Sequence, residues 1–314
     1  MKSFIRAAEV WVPSADRTIL EFGGGLYGTA TRFAAVSRDL CFGYGEGLPG
    51  HAWELGHPIV LKAFEGTYFR RTKAAHAEGI TCAIAVPIFA GDFLTSVLVV
   101  FCGDAAGQAG AIELWKNDPA ESHDMTLDDG YYGATADTFE FTSRRTSFRR
   151  GNGLPGMAWE SGLPVVLEDL GKSARFLRAD VAVRVGINRG FAIPFLSRGG
   201  VQFVLAFLSA LGTPIAHRFE IWRPDAEHER MRLVGGFCEA GGTIAPAPAH
   251  LGPARGEGTV GRVLLSGVPA FSDNAAAEPG GHGVAAAEIG LQSVMAVPLI
   301  QQGRIVAAAV FYFQ

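Results

Sequence analysis

The sequence predicts an α+β chain of three tandem domains, each an antiparallel sheet with short helices on one face. Three observations predict it. A glycine phrase recurs three times, a set of landmarks keeps its order around each copy, and each copy reads as hairpins flanking short helices. The phrase is Gly45-Glu46-Gly47-Leu48-Pro49-Gly50, then Gly151-Asn152-Gly153-Leu154-Pro155-Gly156, then the altered Gly256-Glu257-Gly258-Thr259-Val260-Gly261. Trp11, Trp115 and Trp222 stand 34, 36 and 34 residues ahead of its first glycine. A Gly-X-Pro follows each copy (Gly56 to Pro58, Gly162 to Pro164, Gly267 to Pro269). Later come Gly79, Gly186 and Gly290, and then Val86-Pro87, Ile193-Pro194 and Val297-Pro298. A period of about 105 residues is domain-sized, above the 20 to 50 of solenoid repeats, so each copy owns a core. The implied domains are 1–105, 106–212 and a divergent 213–314.

The elements follow from copy two. Residues 111–115 read as a strand and a second begins at Met125, so a hairpin opens the unit. Residues 138–148, rich in Phe, Thr and Ser, read as strand or extended loop. The phrase 151–156 reads as irregular, its three glycines permitting positive φ and close backbone approach. Residues 157–161 are helical, stopped by Gly162 with Pro164 beyond. Residues 165–167 form a short strand and 178–185 a second helix ended by Gly186. Residues 190–196 and 201–208 close the unit as a hairpin turned at 197–200. The order is β-β-β-α-β-α-β-β.

Composition restricts the function. Charged residues make up 18% of the 314, against roughly 25% in an average soluble domain, so some apolar surface meets other protein. A net charge of −4 with no long basic run argues against nucleic acid. Apolar runs are strand-length, and residues 1–17 lack the apolar core of a secretion signal, so a cytoplasmic protein is expected. Cys41, Cys82, Cys102 and Cys238 show no Cys-X-X-Cys and no equivalence between copies, which fits reduced thiols rather than a disulfide frame or zinc site.

The run Gly-Glu-Gly-Leu-Pro-Gly, then Ala52-Trp53-Glu54-Leu55-Gly56-His57-Pro58, then residues 83–87, with Phe176-Leu177-Arg178-Ala179-Asp180 in copy two, resembles the GAF domain of bacterial signalling proteins. The resemblance covers nearly the whole chain and implies three GAF-like (profilin-like) domains. GAF domains usually carry a helix before the first strand and another after the last; here both are missing. A sheet with one bare apolar face is an aggregation hazard. The backs of the three sheets are therefore expected to bury against each other or against another subunit, with Trp11, Trp115, Trp222 and the terminal strands at that seam.

The glycine phrase itself fits a tight structural turn better than a dinucleotide cradle, which needs a βαβ setting. Asp39-Leu40-Cys41-Phe42 has the form of a bilin-attachment motif, but no cysteine precedes a histidine and copy two has Ser147 in place of Cys41, which argues against a bilin. A free methionine sulfoxide reductase, another GAF protein, needs a reactive thiolate, for which Cys82 is the best-placed candidate. The histidines do not repeat as a metal set, and no hydrolase elbow, Walker loop or kinase signature is present.

The resemblance places a small-molecule pocket between the sheet and the segment joining Gly-X-Pro to the later glycine. Candidate ligand-binding residues are Trp53, Phe64, Phe69 and Arg70 in copy one, and Trp159, Asp169, Phe176, Arg178 and Phe191 in copy two. Copy three offers Phe271, Asp273, Asn274 and His282. The function implied is non-catalytic small-molecule sensing or assembly in bacterial-type signalling, through a signalling partner or a homo-oligomer formed by exposed sheet faces. The alternatives are a GAF-type redox enzyme or a bilin-binding photoreceptor-like protein. The ligand's identity stays open.

Overall fold

A computed structural model describes residues 3–103, 109–133, 135–197, 199–210, 213–279 and 281–314. The boundaries expected near 105 and 212, and Arg198 in the last hairpin of copy two, lie outside them.

The first unit runs β1 (Ile5–Pro13), β2 (Ile19–Leu26), α1 (Thr31–Arg38), β3 (Cys41–Gly43), α2 (Gly47–Leu55), β4 (Ile59–Lys62), α3 (Thr72–Ala77), β5 (Cys82–Ala90) and β6 (Phe93–Cys102). The second has β7 (Ala109–Asn117) and β8 (Met125–Gly133), then a wide turn of helix at Ala136–Glu140 that runs into α4 (Phe141–Ser143). It continues with β9 (Ser147–Phe148), α5 (Gly153–Ser161), β10 (Val165–Leu167), α6 (Ala179–Arg184), β11 (Ile187–Leu196) and β12 (Gln202–Ala210). The third has β13 (Arg218–Pro224), β14 (Met231–Cys238), β15 (Gly242–Ile244), α7 (Gly258–Ser266), β16 (Ala270–Ser272), α8 (His282–Glu288), β17 (Ser293–Gln301) and β18 (Arg304–Phe313). Each unit forms one six-stranded antiparallel sheet in the same order, β3-β2-β1-β6-β5-β4 in the first. The three-fold α+β tandem expected from the sequence is the observed architecture.

Two local expectations change. Residues 138–148 are helix for most of their length, with Ser143 Oγ bonding back to the Phe139 carbonyl at 2.8 Å and Thr142 Oγ1 to that of Thr138 at 3.1 Å. The glycine phrase is not irregular throughout: its second half is the first turn of α2, α5 and α7. Pro49 and Pro155 fit there because a first-turn N–H has no helical partner to lose. The last glycine of the phrase is fixed by close approach. A Cβ on Gly50, Gly156 or Gly261 would stand 2.1, 2.3 or 2.0 Å from the carbonyl oxygen of Gly43, Arg149 or Ala254. The phrase closes on itself through Gly45 N–H to Gly50 O, 3.0 Å, and its two counterparts, and each helix ends on the left-handed Gly56, Gly162 or Gly267, as the Gly-X-Pro predicts.

The sheets bury their backs in one shared core. Ile84, Val86, Leu98 and Val100 of the first sheet meet Ile112, Leu114, Phe191, Ile193 and Leu205 of the second and Phe219, Met295, Val297 and Phe311 of the third. Phe191 stacks on Phe219 with ring centroids 4.9 Å apart and meets Phe311 edge-on at 5.3 Å. The expected mutual burial of the sheet backs is thus achieved within the chain. The terminal strands β6, β12 and β18 contribute to that seam, but the three tryptophans do not. Side chains alternate along a strand, so Ala8, Leu114 and Phe219 face the common core while Trp11, Trp115 and Trp222 face the separate helix-side core of their own unit.

Candidate functional site

Each helix-side core holds the same group of atoms. Two residues before each tryptophan, on the same face of the strand, is a glutamate: Glu9, Glu113 and Glu220, all fully buried. The indole N–H of Trp11, Trp115 and Trp222 donates to it at 3.1, 3.0 and 2.9 Å. A tyrosine hydroxyl donates as well, from Tyr27, Tyr132 and Tyr312 at 2.9, 3.2 and 3.2 Å. Burial, and then the facing carboxylate, push all three phenols above their usual range. They therefore remain donors.

The cation that balances the carboxylate differs between units. Arg71, just before α3, places Nη1 2.5 Å from Glu9 Oε1 and also donates to Ser37 on α1. Arg178, just before α6, grips Glu113 with both terminal nitrogens at 2.5 and 2.8 Å and donates to Ser143 on α4. These guanidinium groups lie among rings: Arg71 is 4.6 to 5.6 Å from the centroids of Phe33, Phe101, Phe69 and Trp11. Arg178 is as close to Phe139, Trp115, Phe176 and Phe148. In the third unit Arg218, on the glutamate's own strand, donates to Glu220 through Nε at 2.7 Å, and His282 at the start of α8 approaches to 3.7 Å. The ground between sheet and helices is thus occupied by the chain's own charged pair. Such a pair in an aromatic box ties the sheet to the segment before α3 or α6.

The residues expected to line a pocket divide. Phe64, Phe69, Phe176 and Arg178 are buried in these helix-side cores. Phe64 and Phe69 stack with centroids 4.1 Å apart. Trp53 and Trp159 pack half-buried at the edges of the same cores. Arg70 instead points to solvent in an ion pair with Glu46 at 2.6 Å, and Asp169 caps the Gly171 N–H and pairs with Lys172 on the surface. Phe191 lies on the opposite face of β11, in the shared core. In the third unit, His282 reaches the carboxylate site while Asp273 lies on the surface, in a cleft facing the first unit. The glutamates were missed, although Glu-X-Trp stands in all three copies; that repeat was the signal available.

Among the cysteines, Cys82 and Cys102 face each other across β5 and β6 in the shared core. Burial pushes both thiols up. Cys41 is exposed and Cys238 buried. Among the described residues no group of His, Cys, Asp and Glu is arranged to hold a metal ion, and no helix is long and apolar enough to cross a membrane.

A family model for the GAF domain matches residues 219–314. No curated protein matches the chain. Among solved structures, a GAF domain of A. aeolicus in an inactive state is similar at 20% identity over 32% of this chain and 59% of its own, with a TM-score of 0.26. The free methionine-R-sulfoxide reductase of Neisseria meningitidis, in complex with its substrate, is similar at 19% identity over 33% of this chain and 53% of its own, with a TM-score of 0.25. A nitrate-site variant of the NreA protein of Staphylococcus aureus is similar at 20% identity over 35% of this chain and 79% of its own, with a TM-score of 0.27. The chain spans a little over half the length of the first two of these. Residues 219–314 belong to the GAF domain family, and the two sheets before them repeat the same strand order.

Proposed function

We propose that the chain is a non-catalytic regulatory module that senses a small molecule or serves in assembly in bacterial-type signalling, and that it acts in the cytoplasm through a protein partner or a second copy of itself. GAF domains are in general ligand-sensing or regulatory modules. The observation that carries the reading is the filling of the helix-side cores in the first two units by Glu9–Arg71 and Glu113–Arg178. A fully desolvated ion pair ringed by aromatics makes a rigid interior, and it leaves the clefts between units as the places where a small molecule meets the chain.

The redox alternative depends on a reactive thiolate. Burial disfavours one at Cys82 and Cys102, and the aromatic boxes hold arginine where a substrate would lie. Native mass spectrometry of freshly purified protein tests the regulatory reading, since one spectrum reports bound small molecules, subunit count and any co-purified partner. A bare monomer that captures no partner counts against it. Methionine sulfoxide turnover that disappears in Cys82→Ser or Cys41→Ser would replace it with the enzyme.

A further inference from the structure

The three units meet in a ring, and the seams between them are not alike. In two seams the short strand after Gly-X-Pro in one unit approaches the second strand of another, β4 to β8 and β16 to β2; in the remaining seam Glu168, just after β10, reaches Thr243 on β15. At the first seam Lys62, four residues after Pro58, reaches into the second unit and sets its ammonium 2.6 Å from the Asp129 carboxylate and 3.0 Å from the Gly130 carbonyl. At the second seam Glu168, four residues after Pro164, accepts from Thr243 at 2.8 Å through either carboxylate oxygen, and Arg189 pairs with Glu239 at 2.7 Å. The third seam brings β16 of the last unit against β2 of the first. There the position of Lys62 is held by Asp273, four residues after Pro269. The position of Asp129, which pairs with the residue before Trp115, is held by Gly24, which pairs with the residue before Trp11. Asp273 is exposed and makes no ion pair among the described residues.

This third seam also contains a cleft of about 630 Å³, within the roughly 300–1,000 Å³ of ordinary ligand pockets, which favour boundaries between domains. Its floor is the Gly23-Gly24-Gly25 backbone, and Leu265, Val268, Pro269 and Phe271 give it an apolar wall. Outward of Glu21, β2 has no further strand on that side among the described residues, since β3 pairs only with residues 19 to 21. Main-chain groups of the glycine run therefore face the cleft without a ladder partner. Arg262 lies in the lining too, but its guanidinium is tethered to the Phe271 carbonyl at 2.8 Å and the Gly258 carbonyl at 3.1 Å.

We propose that this cleft binds a small molecule carrying one primary ammonium on an apolar body, the ammonium taking at Asp273 and the glycine carbonyls the place that the Lys62 ammonium takes at the first seam. The chain supplies its own precedent: an alkylammonium between a carboxylate and a main-chain carbonyl already closes the sister seam. The Arg262 charge in the same lining disfavours a second cationic group on the ligand. This site deepens the regulatory reading and rests on it, because a ligand held between the last and first units reads out how those units sit together.

Calorimetric titration at low ionic strength with hexylamine, hexanoate and 1-hexanol tests the site, with hydrogen exchange of residues 23–26 as locator. The native chain is expected to bind hexylamine alone, with slowed exchange at those glycines. Asp273→Asn is expected to weaken hexylamine binding about tenfold, as loss of a charge-assisted contact should. Asp273→Lys is expected to abolish it while leaving the chain folded, the new side chain standing in the cleft as Lys62 does at the first seam. Equal binding of hexylamine and hexanol, unchanged affinity in Asp273→Asn, no heat with hexylamine, or protection away from the glycine run each overturns the proposal. A chain that ignores hexylamine yet carries another ligand or a partner by mass spectrometry loses this site and keeps the regulatory reading.

Discussion

Arg71 reaches back across 62 residues of chain to place Nη1 2.5 Å from Oε1 of Glu9, with both side chains sealed from solvent. Removing one partner of such a pair strands the other charge in a low-dielectric interior. Arg71→Met should therefore cost about 3–5 kcal/mol in urea denaturation. The double variant Glu9→Gln, Arg71→Met should recover more than half of that loss. A single variant close to native stability would mean that water reaches the pair.

The last glycine of the phrase gives a sharper steric test. Gly50→Ala, Gly156→Ala and Gly261→Ala each press a methyl group onto a carbonyl oxygen, and each should lose about 1–3 kcal/mol. Gly199→Ala, with nothing within 4 Å of its added carbon, should stay within about 0.5 kcal/mol of native. Equal effects at all four positions would remove close approach as the reason for the glycine.

Phe191 touches two sheets at once, so its loss should be felt beyond its own unit. Phe191→Ala is expected to cost about 3–5 kcal/mol and to lower one common thermal transition rather than detach the second unit. Two separated transitions in calorimetry would mean that the shared core does not couple the sheets.

The third unit should carry an acid-sensitive step. Burial pushes the Glu220 carboxyl up, but the neighbouring His282, the Arg218 charge and the Trp222 N–H outweigh it and hold the group below the usual carboxylate range. A carboxyl depressed in the folded state contributes stability above its unfolded value, near 4.3, and loses it as pH falls through the folded value. The melting temperature should therefore decline below about pH 4, and Glu220→Gln should flatten that decline. An identical acid limb in the variant would assign the decline to other groups.

How far the sequence revealed this molecule depended on where the physics was local. The glycine phrase and the Gly-X-Pro were legible because positive φ and close backbone approach admit few residues, and the same constraint recurs three times. The helix before Ser143 was hidden because its Phe and Thr residues suit a strand equally well, and the partners that hold Ser143 in place, Glu113 and Arg178, are distant in sequence. Phe191 was placed on the wrong face because parity along a strand is fixed only by register with its neighbours. The glutamates escaped notice because a lone carboxylate in a strand reads as a solvated position until its partner, 62 to 65 residues away in the first two units, folds onto it.

A core shared by three sheets also makes the molecule indivisible. Cutting the chain between units would bare Ile84, Phe191 or Phe311 to water on a flat β-surface, so a single excised repeat should cluster with its fellows instead of standing alone. Removing one copy would meet the same obstacle.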